Sequence, residues 1–555
     1  MAIRPIREPR APLGAVLMRP IEWAHGQSLR LLEWFNQERW TLMLTLLALL
    51  ITNSFLLYLL LQGQDTRALA FVIILFVVVL SWLVPELSIA VLIVGGTGLY
   101  INLLFYTTGG AFGTGARQIL LALLLVVSFR AIYEYLRTPP AERPRVFTWL
   151  TVLLALFWVY YMAHVMYINL FRYNVPPPDN VLTVLGFERK TLIRYFDAHV
   201  LWIAVIPMAV LLCNYERAKR VLFLVGLAAF SGAFSTFLDY LTPLPEFWRV
   251  VFLIRTAGES TEGYRVHTAA STYLVVLWAC YIAYRIGFLR WWQHLASILY
   301  LFAAALAIAA VKARILWAPM MALLPLAMLL KPPQVLVRQV YVLGFAGLLA
   351  AALLMHPRVY NTVTRLADEV VQRWERNYAF GGDPRNDPSY QWRLREREAL
   401  EKHYATLSLT DKLFGRGLEE GYGFYLSVGA LGYGPQYSQT YVEKTRLHFS
   451  WLGRLLHIGA LGTALLALAF VGAIARAVYT FLAVPQPFVR ALAFASAGAT
   501  AVVLIYDSIH HFTLADYSPL PVVLSWAFLE AAIYWYRTGQ LPDETNISNA
   551  STRDF

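Results

Sequence analysis

Residues 448–475 read HFSWLGRLLHIGALGTALLALAFVGAIA, and they mark the point where a long polar stretch, Pro357–Leu447, returns to an apolar chain. The run from Gly459 to Ala475 contains no charged residue. Backbone N–H and C=O groups in hydrocarbon have no water to bond, and the segment lacks the two-residue alternation of a barrel strand, so it reads as a membrane-crossing helix. His448, Leu452, Leu455, Gly459 and Gly462 give the pattern H-x3-L-x2-L-x3-G-x2-G. A titratable imidazole therefore sits at the mouth of a span, fed by a loop rich in arginine and glycine. That arrangement points to chemistry on a membrane-bound substrate.

The rest of the chain agrees. Of 555 residues, 59% are hydrophobic and 14% charged, and the mean hydropathy is +0.54, too apolar for a soluble globule. Thr41–Leu61, Ala68–Leu83 and Ile119–Leu136 are further runs near the ~20 residues that cross a bilayer, the last carrying Arg130 and Glu134. The net charge of +12 comes without a basic block or nucleic-acid signature, and its charges lie mainly in short connections, so it reads as topology rather than nucleic-acid binding. Cys213 and Cys280 both lie in apolar runs, which argues against a disulfide framework or a metal cluster. No short apolar core with a cleavage site precedes Trp40, so the first span is expected to anchor the chain.

The expected fold is all-α and polytopic, with about twelve to fourteen spans. Fourteen can be placed, near 41–62, 68–84, 87–106, 117–136, 146–169, 198–213, 219–241, 268–285, 293–310, 315–330, 339–355, 449–474, 488–507 and 519–536. With residues 1–40 inside, the short connections Leu136–Arg145, Asn214–Arg220 and Lys331–Arg338 are cytoplasmic and basic, as the positive-inside rule requires. The organisation is then a cytoplasmic segment 1–40, helices over 41–356, an extracytoplasmic loop 357–447, three last helices over 448–537 and a cytoplasmic tail 538–555. Within the loop, Val363, Leu366, Val370 and Trp374 predict a helix over 361–377, and a charged one follows over 392–404. Gly415-Arg416-Gly417 and the Gly/Tyr-rich stretch Gly421–Tyr441 come next, and such a loop can fold as a cap over a membrane cavity.

Arginines are the recurring group on the predicted outer face. Arg314, after Lys312, opens an apolar helix; Arg255 lies near Arg265 and His267; the loop adds Arg393, Arg395, Arg397 and Arg416. A guanidinium is always charged and its planar fork suits phosphate, although interfacial arginines also serve as snorkelling anchors. At helical spacing Arg393 and Arg397 share one face, with Glu396, Glu398 and Glu401 at hand for ordinary pairing. His448 can act as a general base near neutral pH, or simply as a polar cap. His510-His511 with Asp507 and Asp516 is a weak metal candidate, and no metal or cofactor is expected.

These residues resemble the O-antigen ligase/O-antigen polymerase superfamily, bacterial membrane glycosyltransferases with a large extracytoplasmic loop before the last helices. The likeness is scattered over Arg255–Gly462. The loop exit is similar to the family's His-Asn-x-x-Leu with two glycines, here with Phe449 at the second position. Leu413-Phe414-Gly415-Arg416-Gly417 resembles its Pro-Leu-x-Gly-x-Gly turn, with Lys412 for proline. Arg393-Leu394 with Ala399-Leu400 resembles its arginine-led helix, Lys312-Ala313-Arg314 its Ser-Arg, and Arg255-x-x-Gly258 with His267 its Arg-x-x-Gly…Asn. The resemblance implies a GT-C-like fold in a bacterial inner membrane, with both termini cytoplasmic and a periplasmic active site. It implies a donor glycan on undecaprenyl diphosphate and a sugar hydroxyl of a glycan or lipid A-core as acceptor. His448 would be the base and Arg314 the main diphosphate clamp, aided by Arg255, Arg393, Arg397 and Lys312, with Arg265, His267 and Arg416 as further candidates. A chain-length regulator or flippase would be the protein partner. A transporter or flippase of lipid-linked sugars is the alternative, but it would be expected to show inverted repeats or broken helices mid-membrane.

Overall fold

A computed structural model of the protein describes residues 75, 78–96, 116–145, 148–171, 200–241, 255–257, 265–267, 271–311, 314–379, 388–417, 422–427, 439–444, 450–507 and 520–541. In chain order the helices are α1 (Pro85–Gly96), α2 (Ala116–Arg137), α3 (Trp149–Phe171), a 3-10 turn (Val200–Ala204) running into α4 (Val205–Leu212), and α5 (Tyr215–Leu241). After a three-residue hairpin, β1 (Arg255–Ala257) with β2 (Arg265–His267), come α6 (Ser271–Arg285), α7 (Trp291–Val311), α8 (Arg314–Leu329) and α9 (Pro333–Leu354). The loop holds α10 (Pro357–Ala379), α11 (Pro388–Thr406), α12 (Leu409–Phe414) and a second hairpin, β3 (Tyr422–Ser427) with β4 (Gln439–Lys444). The last helices are α13 (Ser450–Ala483), α14 (Pro487–Asp507) and α15 (Leu520–Thr538).

Six of these are long and apolar enough to cross a membrane, at Trp149–Ile168, Tyr215–Thr236, Trp292–Ala309, Pro333–Ala352, Trp451–Ala483 and Pro487–Ile505. The protein is an all-α polytopic membrane protein, with the two short hairpins as additions. Of the fourteen spans placed in the sequence, six are matched by these long apolar helices. The first expected span and most of the second, with the end of the third, lie outside the described residues. Four others appear as apolar helices of 10–17 described residues, Pro85–Val94, Leu201–Leu212, Tyr273–Arg285 and Pro319–Leu329, and the spans expected at 117–136 and 519–536 are present as α2 and α15. In α4 and the 3-10 turn before it, Trp202, Val205, Met208, Leu211 and Leu212 are buried in protein. Hydropathy does not distinguish an apolar residue in lipid from one in a protein interior.

The core is built on α13, α14 and α15. Trp202, Phe470 and Trp526 meet with ring centroids 5.2–5.4 Å apart, and Trp526 Nε1 donates to Thr500 Oγ1 at 2.9 Å. Glycines let helices close: a Cβ at Gly472 would overlap Trp149, and one at Gly226 would overlap Trp278. Arg476 lies against Glu530 with two contacts of 3.1 and 3.2 Å, so a charge on each of two core helices is matched.

One end of the bundle gathers the basic connections. Glu134 near the end of α2 receives Arg217 at 2.6 and 3.0 Å and Arg130 at 2.9 Å, which accounts for charges in that apolar run. Trp535 Nε1 donates to Leu212 O at 3.0 Å and Tyr534 Oη to Glu142 O at 2.8 Å, tying α15 to the same end. Lys331 donates to Ala283 O, Ile286 O and Gln339 Oε1 at 2.7–2.9 Å, capping the last turn of α6; its burial pushes the pKa down to about 7. Sidedness has a direct test in a chain with Cys213 and Cys280 replaced by alanine. Ser389→Cys should react with a membrane-impermeant thiol reagent in whole cells, and Ala141→Cys only after permeabilisation. The reverse pattern would overturn the expected topology.

The loop is folded. The helices expected over 361–377 and 392–404 are present and extend further at both ends. Ser408 caps α12, its Oγ accepting from Asp411 N at 3.1 Å. Within the Gly/Tyr-rich stretch the chain forms the β3–β4 hairpin, paired from Tyr422↔Lys444 to Ser427↔Gln439. Aromatic residues at Tyr422, Phe424, Tyr425 and Tyr441 favour strands over helix there.

Candidate functional site

The site is organised by a break in α13. At Gly459 the backbone has φ 69° and ψ 177°, so the element is two helices meeting at an angle, 450–458 and 460–483. Its first segment therefore ends in carbonyls with no helical partner, and they are met from outside. Arg416 N donates to Leu456 O at 2.8 Å and Gly417 N to His457 O at 2.9 Å. Tyr160 of α3 donates its hydroxyl to Ile458 O at 2.7 Å and stands 3.3 Å from Phe414 O. The loop turn Gly415–Gly417 is thereby stitched, backbone to backbone, into the opening of a membrane helix.

Glycine is required on both sides of this contact. Gly415, at φ 79° and ψ 175°, occupies the same region as Gly459, which side chains essentially never adopt. A Cβ on Gly415 would overlap His457 O and Gly459 N, and one on Gly459 would overlap Leu413 O and Gly415 N. Gly462 keeps room for the Tyr160 ring. The two glycine motifs that the sequence offers separately are the two halves of one joint.

Packing extends the joint outward. Leu400 and Leu407 of the cap bury against Leu456 of α13, with Ala399, Tyr404 and Leu452 around them. The α11–α12 pair is thus seated on the first segment of α13, directly after His448. His448 itself and Lys312 lie outside the described residues.

The other candidates distribute as follows. Arg314 is the first described residue of α8, after Lys312 and Ala313, which lie outside the described residues. The β1–β2 register sets Arg255 opposite His267 and Ala257 opposite Arg265. Alternate positions share a face of a pleated ribbon, so Arg255, Arg265 and His267 occupy one face of that hairpin, which adjoins α7 and α5. Arg393 sits in α11. Arg397, one turn on, is exposed and ion-paired with Glu401 at 2.6 Å, the surface pairing that the i, i+4 spacing allows. Arg416 contributes its backbone to the joint and is half-buried.

One charged group that sequence reading did not single out is buried beside this joint. Arg454 is 0% exposed, with its guanidinium 4.4 Å from the Trp451 ring centre. Glu396, expected as a partner for ordinary surface pairing, is instead fully buried, as are Asp239 of α5 and His457. The signal for Arg454 was available: an arginine one turn after a tryptophan, just inside an apolar run, is expensive in a membrane unless it faces protein. Among the described residues no three His, Cys, Asp or Glu side chains converge as metal ligands; His510-His511 lies outside them.

Fold and site together define a polytopic helical membrane protein in which the turn Gly415–Gly417 is locked into a broken apolar helix. No family model matches the chain, and no curated protein matches it.

Proposed function

We propose that the protein is a metal-independent, inverting membrane glycosyltransferase of the O-antigen ligase/polymerase kind, GT-C-like in architecture, acting in assembly of a cell-surface polysaccharide. The observation that carries the reading is the joint between Gly415–Gly417 and Gly459. It supports a cap held rigidly at the membrane edge, on the helix segment that His448 precedes. In this reading the protein lies in a bacterial inner membrane with termini and basic connections in the cytoplasm and the joint on the periplasmic side.

The donor is a glycan on undecaprenyl diphosphate. An acceptor sugar hydroxyl attacks the anomeric carbon; its proton passes to His448 as the new C–O bond forms. The anomeric C–O bond to phosphate breaks, the electron pair leaves with the lipid diphosphate, and the configuration inverts. Arg314 holds the developing diphosphate charge, with Arg255 and Arg265 on the hairpin face and Arg393 on the cap as helpers. Arg397, already paired with Glu401, contributes least.

Reconstitution in liposomes with a lipid-linked oligosaccharide tests this, offering either lipid A-core or a second lipid-linked glycan as acceptor. Elongated lipid-linked product identifies a polymerase, and transfer to lipid A-core a ligase. Movement of the lipid across the bilayer without transfer would replace the reading with a flippase, the alternative for which broken helices are expected and which the break of α13 at Gly459 also fits. In the same assay Arg314→Lys should lose most of the activity and Arg314→Ala nearly all, by roughly 30–900-fold, the equivalent of about 2–4 kcal/mol of transition-state stabilisation. A point charge cannot reproduce the bidentate guanidinium fork. Full activity in the lysine variant would make Arg314 an interfacial anchor instead.

A further inference from the structure

The α10 helix, Pro357–Ala379, follows the span α9 after only Met355 and His356. Two residues extend the chain by no more than ~7 Å, so α10 begins at the level where α9 leaves the bilayer. The α9 span is the least buried of the six: 6% of its apolar window is buried within the protein, against 39–72% for the other five. Leu348 in α9 is 73% exposed and Met355, just after its end, 83%.

The sequence of α10 is amphipathic, with Arg373 and Asn377 the polar residues that fall beside Val359 on its apolar side. At about 100° per residue, Val359, Val363, Val370 and Trp374 fall on one side, with Tyr360, Ala367 and Val371 along its flank. Arg358, Arg365, Asp368 and Arg376 lie on the opposite side. Val359 and Val363 are half-buried against the protein. The flank is not: Tyr360 is 53% and Val371 50% exposed, and Ala367 is exposed with them. An apolar line is thus left uncovered on a helix that starts at the bilayer boundary, while its polar face carries charges of both signs that bar it from the hydrocarbon.

We propose that α10 lies in the plane of the membrane surface, with the Tyr360–Ala367–Val371 flank set into the boundary between lipid headgroups and acyl chains. The cap is then held at two places, by α10 in the lipid surface and by the glycine joint at α13. This inference is independent of the glycosyl-transfer reading. It fixes the height of the cap at the headgroup layer, whatever substrate is handled there.

Spin labels at Ala367→Cys, Val371→Cys, Arg365→Cys and Asp368→Cys test it, in full-length protein with Cys213→Ala and Cys280→Ala. The protein is reconstituted in vesicles of phosphatidylethanolamine and phosphatidylglycerol. Labels at 367 and 371 should collide with oxygen and be shielded from a water-soluble nickel chelate; labels at 365 and 368 should show the opposite. Nickel access at all four would mean that the helix stands in water. Shielding of 367 and 371 from both reagents would mean that protein covers the flank. Either result overturns the proposal.

Discussion

Replacing His448 by alanine should reduce glycan transfer by roughly 10²–10⁴-fold, the usual contribution of a positioned general base. Expression, membrane insertion and docking of the cap should be unchanged, because the joint is made by residues 413–417 and 456–459 with Tyr160. The measurement is the initial rate of lipid-linked product formation in liposomes, with amide exchange over the joint as the structural control. A near-normal rate would remove His448 from the chemistry and leave it as a polar cap. A lost rate with a loosened joint would make its effect structural.

The second large effect concerns the joint itself. Gly459→Ala should free the loop turn, for three reasons that act together. The backbone conformation at Gly459 costs about 1–3 kcal/mol for any residue with a side chain. The new methyl group overlaps Leu413 O and Gly415 N, both rigid backbone atoms. Withdrawal of the turn also breaks the Arg416–Leu456 and Gly417–His457 hydrogen bonds, each worth about 0.5–1.5 kcal/mol net. Amide exchange across Leu409–Gly417 should then rise by ~10²–10³-fold, as expected for a local loss of about 3–4 kcal/mol. Gly344→Ala is the control: a methyl group there meets nothing within 4 Å, so exchange should stay at the wild-type level. Unchanged exchange in Gly459→Ala would show that the cap is not held by this joint.

The membrane class was legible in the chain because long uncharged runs such as Gly459–Ala475 admit no other backbone solution in lipid. The cap helices were legible for a related reason: the apolar spacing at Val363, Leu366, Val370 and Trp374 is a local property. The glycines of Gly415-Arg416-Gly417 and Gly459 were visible as motifs, and each by itself looked like a turn or a packing residue.

What tertiary structure alone decided is which of these pieces meet and which apolar segments reach lipid. That Gly415 and Gly459 abut is a contact between distant parts of the chain, and no local pattern encodes it. The short helices Val205–Leu212 and Tyr273–Arg285 have span-like composition, and only their surroundings show them buried in protein. Arg454 and Glu396 read as ordinary charges until the fold encloses them. In each case the sequence determines what a segment prefers to be near, water or apolar matter. Folding determines whether that apolar matter is lipid or another helix, because the two are nearly equivalent in hydrophobic free energy and differ only in shape and hydrogen bonding.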